Sequence, residues 1–69
     1  MVEVFKTNIQ ERRQATALFE ILSKHFPYFK INFDLEDCDK ILRIEGDSIA
    51  NERIISLINT NGYQCQILE

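Results

Sequence analysis

The spacing of apolar positions changes character several times along the chain, and each change predicts an element. Residues 2–7, "VEVFKT", alternate, with Val2 and Val4 on one side and Glu3, Phe5 and Thr7 on the other, which predicts a strand. The period then lengthens to that of a helix. Ala15, Leu18, Phe19, Leu22 and Phe26 form one stripe, while Glu11, Arg12, Arg13, Glu20 and Lys24 fall largely outside it. Thr7-x-x-Gln10 and Asn8-x-x-Glu11 both fit a capping box at its start, and Pro27 ends it. "YFKINFDL" returns to alternation, with Ile31, Phe33 and Leu35 on one face. The polar "EDCD", residues 36–39, is short enough only for a hairpin, and "KILRIE" comes back as the next strand with Leu42 and Ile44 inward. Gly46, Asp47 and Ser48 break that strand and are expected to cap a second helix. Its face is Ala50, Ile54, Leu57 and Ile58, flanked by Ile49 and Ile55. Asn61-Gly62 supplies a left-handed helix end, and "YQCQIL" is the last strand, with Tyr63, Cys65 and Ile67 on one side.

The order βαββαβ predicts an α+β fold: a ferredoxin-like sandwich of one four-stranded antiparallel sheet, strand order 4-1-3-2, with both helices on one face. The whole chain, residues 1–69, reads as one domain, too short for a second core. In that topology the loop at 7–11, the hairpin at 36–39 and the turn at 60–63 share one end, and His25 lies at the other. Loop chemistry is expected at the shared end.

Charge narrows the function classes. Eight basic and eleven acidic residues give a net charge of −3, and the basic ones form no stripe beyond the adjacent Arg12 and Arg13. Nucleic acid is therefore not the expected partner. Apolar runs are too short to span a bilayer, and "MVEVF" does not resemble a secretory signal. Cys38 and Cys65 then read as reduced thiols of a cytoplasmic protein.

The residues from "YFKINFDLED" onward resemble the heavy-metal-associated domain of copper chaperones and metal-transport ATPases. Tyr28, Ile31, Phe33, Asp34 and Leu35 match that family's Val-x-x-Val-x-Val-Asp-Leu run. "LRIEGD" resembles its third strand, and "RIISLINTNGYQCQIL" its second helix, Gly-Tyr turn and final strand. The resemblance implies a Met-x-Cys-x-x-Cys metal motif after the first strand. A gapless carry-over puts Ile9 at the methionine, Glu11 at the first cysteine and Gln14 at the second. A carboxylate and an amide are hard oxygen donors and do not replace two thiolates holding a soft ion. The family's metal transfer is thus not expected here. Glu11 is instead expected to place a negative charge in the first turn of the helix and to close its capping box.

Other chemistry is sparse. Cys38 is the thiol expected to be exposed, in the acidic hairpin, and Cys65 is expected to point into the core. A hard-cation site could draw on Asp34, Glu36, Asp37 and Asp39 with Glu11, although the spacing is that of no calcium loop. With a single histidine and no phosphate-binding glycine loop, neither an enzyme nor a cofactor site is expected. The open face of the sheet is the more promising surface. Parity is read as placing Phe5, Ile41 and Leu68 there, ringed by Arg43, Glu45, Gln64 and Gln66, with Phe29 a further candidate. The expected function is a non-enzymatic module that contacts another protein or a second copy of itself. The alternative is metal handling through Cys38 and its acidic neighbours. A small-molecule regulatory domain shares the topology, but no residue feature supports it.

Overall fold

The computed structural model describes residues 1–68. Strand β1 (Val2–Thr7) leads to helix α1 (Arg12–His25), then β2 (Lys30–Asp34), β3 (Ile41–Glu45), helix α2 (Asn51–Thr60) and β4 (Cys65–Ile67). The strands form one antiparallel sheet in the order β2-β3-β1-β4, which is the expected α+β sandwich in a ferredoxin-like arrangement. The register aligns Phe5 with Leu42, Leu42 with Phe33, Ile44 with Ile31 and Thr7 with Cys65, so these side chains share one face. Ala15, Leu18 and Leu22 of α1 and Ile54 and Ile58 of α2 close over that face to make the core.

The inner face of β1 is the reverse of the expected one. Phe5 was assigned to the open side, yet it is 0% exposed at the centre of the core. Strand parity sorts residues into two sets without saying which set is covered. The inner set here is disguised by two polar members, both bonded. Thr7 Oγ1 donates to the Lys40 carbonyl (2.6 Å) and accepts from the Ile9 N–H (3.3 Å). Glu3 sits at the periphery, where its Oε1 accepts from Asn51 Nδ2 at 2.9 Å. Val2 and Val4 therefore face outward. Phe29 also departs from expectation, stacking on Phe26 with ring centroids 5.4 Å apart and packing against the core.

Both helices start later than the sequence signals suggest. Glu11 is the N-cap of α1, and Gln14 Oε1 accepts from the N–H groups of Gln10 and Glu11, each at 3.1 Å. Glu11 and Gln14 thus form the capping box together, with Glu11 as its N-cap and not, as expected, the residue that closes it from within the first turn. Thr7 and Asn8 are drawn away into bonds across the sheet. For α2 the N-cap is Ala50, which is exposed, and neither Asp47 nor Ser48 caps it; Ser48 instead bends the chain at φ 53°. Phe19 belongs to the expected apolar stripe but is 43% exposed, at the margin of the helix nearest β2. The end of α2 follows expectation. Gly62 adopts φ 93°, its N–H reaches the Asn59 carbonyl (2.9 Å), and the Tyr63 N–H reaches that of Ile58 (3.2 Å). Gly46 has a different purpose from a turn alone, because a Cβ there would lie 2.5 Å from the Phe29 ring.

Candidate functional site

Hydrogen bonds draw the three predicted loops together at one end of the sheet. Thr7 N–H bonds the Asp39 and Lys40 carbonyls, both at 3.2 Å, and Asn8 Oδ1 accepts from the Gln64 N–H at 2.8 Å. Ile9 is 0% exposed and pins the loop to the core. The loop preceding α1 is thus anchored at Thr7, Asn8 and Ile9 in succession. Sequence reading missed the Asn8 bond, because its partner is 56 residues away.

Of the candidate ligands, the structure assembles three. One ligand atom each from Asp37, Cys38 and Asp39 lies within 4.8 Å of the others, in the exposed hairpin. Glu11 is not part of that group; its Oε1 faces Arg13 Nε at 3.2 Å. The aspartates already have work in the turn. Asp37 Oδ1 accepts from the Asp39 N–H (2.8 Å), Asp34 Oδ1 from the Glu36 N–H (3.2 Å), and Asp39 Oδ1 lies 3.9 Å from Lys6 Nζ. These are the self-bonding habits of aspartate in tight turns, and they account for the clustering. Cys65 is buried beneath α2, and burial pushes its thiol up to about 12. A thiol held protonated is neither nucleophile nor soft ligand at neutral pH. It lies in β4, across the sheet from the hairpin that carries Cys38.

The open face of the sheet is the second candidate. Its residues, read from the register, are Val2, Val4 and Lys6 on β1, Ile41, Arg43 and Glu45 on β3, and Lys30, Asn32 and Asp34 on β2. Leu68, whose N–H bonds the Val4 carbonyl at 2.9 Å, extends the face beyond β4 and is 39% exposed. Of the three expected interface residues, Leu68 is available. Phe5 is not, for the reason given above. Ile41 does lie on this face but is only 3% exposed. It stands between Lys6 and Asp34 on the flanking strands. The uncovered apolar strip is therefore Val2, Val4 and Leu68, displaced toward the β1–β4 side.

No family model, curated protein or solved structure compared with the chain gives a match. The likeness to heavy-metal-associated domains rests on the quoted residues alone. None of the helices among the described residues is long and apolar enough to cross a membrane.

Proposed function

We propose that this domain is a non-enzymatic protein-contact module built on a metal-chaperone-like scaffold whose ion position has been closed. The observation that carries the reading is the start of α1. Where the related motif would present two sulfur donors, Gln14 Oε1 is engaged with two backbone N–H groups and the Glu11 carboxylate with Arg13. The loop between them and β1 is fastened by buried Ile9. Gln14 and Glu11 both present hard oxygen donors, which a thiophilic ion does not favour over sulfur. What remains accessible is protein surface: a sheet face without helices, carrying Val2 and Leu68 in a polar surround. An apolar centre with a polar rim is the arrangement of a protein interface, and it supports this reading. The reading takes both cysteines as reduced thiols of a cytoplasmic protein.

A second reading has one observation in its favour, the approach of Cys38, Asp37 and Asp39 to within 4.8 Å. One experiment separates the two. Titrating the chain against a chelating probe for Cu(I) or Zn²⁺, beside Cys38→Ser, should show no tight uptake by either. Stoichiometric uptake that disappears in Cys38→Ser establishes the metal reading and ends the first.

A further inference from the structure

Strand β2 is an edge of the sheet, and its sequence is self-complementary when reversed. "KINFD" reads basic, apolar, Asn, apolar, acidic from Lys30 to Asp34. We infer that two copies of this chain join through β2, antiparallel about Asn32, so that their sheets run edge to edge. The inference rests on the protein-contact reading and adds a second surface to it, the β2 edge, on the far side of the sheet from Val2 and Leu68.

The hydrogen-bond phase of the sheet supports it. The Gly46 N–H bonds the Met1 carbonyl (3.0 Å) and the Thr7 N–H bonds that of Lys40 (3.2 Å). In an antiparallel ladder bonded pairs alternate, so Glu3–Ile44 and Phe5–Leu42 are the bonded pairs between β1 and β3. The backbone groups of Ile41, Arg43 and Glu45 therefore turn toward β2, where Asp34, Asn32 and Lys30 stand opposite. That leaves the N–H and C=O of Ile31 and Phe33 on the outer edge. Centring a second β2 on Asn32 places Ile31 opposite Phe33 of the second copy, and both residues have their free groups aimed outward. The pairing satisfies them reciprocally.

Side chains agree on both faces. On the open face, Lys30 of each copy stands opposite Asp34 of the other, with Cα atoms about 4.5 Å apart as in any non-bonded pair. Among the described residues neither side chain has an ion-pair partner within its own chain. Asp34 Oδ1 accepts from the Glu36 N–H, which leaves its second oxygen available. On the helix face, a groove of about 230 Å³ runs between α1 and β2, lined by Arg12, Ala15, Thr16 and the exposed Phe19 above Ile31 and Phe33. A second copy brings an identical apolar margin to this one, which is the self-complementarity that a two-fold interface requires. Edge strands are usually protected by bulges, prolines or charges. Here five regular residues carry no proline, and the single lysine meets an acid in the paired register. The opposite edge, β4, is three residues long with no such palindrome.

The test uses the full chain. Light scattering over a concentration series should show the mass rising from 8.1 kDa toward twice that value. Lys30→Asp and Asp34→Lys each set like charges opposite one another, and each should weaken self-association about tenfold. An equimolar mixture of the two variants restores opposite charges at every position and should regain association; circular dichroism confirms that each is folded. Amide exchange at Ile31 and Phe33 should slow with rising concentration in the wild type and in the mixture, but not in either variant alone. Variants that associate like the wild type, a mixture that gains nothing, or Ile31 and Phe33 amides indifferent to concentration each overturn the inference. A chain that stays at 8.1 kDa at every concentration also overturns it while leaving the contact reading with a different protein partner. Tight metal uptake, by contrast, ends the contact reading itself.

Discussion

The covered face of β1 carries one apolar side chain, Phe5, and the open face two, Val2 and Val4, and the two faces have opposite fates. Phe5 is wholly enclosed, whereas Val2, three residues earlier, is 51% exposed. Both are strand residues of good β propensity; the difference is the pair of helices above one and the absence of any layer above the other. Burial here is a property of what lies over a residue, and the most apolar face is recognisable only once the helices are placed. The same contrast explains the cysteines, one under α2 and one in an open hairpin.

The sharpest way to break this contrast is Phe5→Ala. It leaves a cavity at the centre of a small core and should cost about 3–5 kcal/mol. A domain of this size has a stability of the same order, so denaturant or thermal melting should show a largely unfolded chain. Next comes Gly46→Ala, which drives a methyl group against the Phe29 ring. Its expected cost is about 1–3 kcal/mol, read from the same melts. Thr7→Val is nearly equal in volume but strips the hydroxyl from the Ile9 N–H and the Lys40 carbonyl, for a loss of about 1–3 kcal/mol. On the open face, Leu68→Lys should change stability by less than about 0.5 kcal/mol. A large loss there would mean that the face is covered within the monomer after all.

The cysteines sharpen the comparison without mutation. Cys38 should react with a thiol reagent in the native protein at neutral pH, and Cys65 only after unfolding. Burial raises the folded thiol of Cys65 from 9.0 to about 12. The unfolded chain gives up that proton first, so it binds fewer protons than the native state in between. The contribution is present in full below pH 9 and declines as pH rises from about 9 toward 12. Stability that is flat across that range in the wild type, relative to Cys65→Ala, would contradict the burial.

Much of the architecture was legible because each element announces itself locally. The helical stripe of α1, the alternation in β2 and β3 and the Asn61-Gly62 stop are short-range signals, and they suffice for element order and topology. The face of β1 was not legible, since Thr7 and Glu3 look like solvent residues until Lys40, Ile9 and Asn51 are seen beside them. Helix starts were misplaced for a related reason. Thr7 and Asn8 satisfy a capping pattern in sequence, but bonds to Lys40 and Gln64 claim their side chains. The clustering of Asp37, Cys38 and Asp39 was legible, since the three are consecutive in a turn where aspartate bonds to its own backbone. The exposure of Phe19 depends on where α1 overhangs the sheet edge, which periodicity does not encode.

Gln14 holds two amides at the threshold of α1 from outside the buried core. The entry to the helix is therefore tuned apart from the packing beneath it: a change at Gln14 reaches the amides of Gln10 and Glu11 without opening the core.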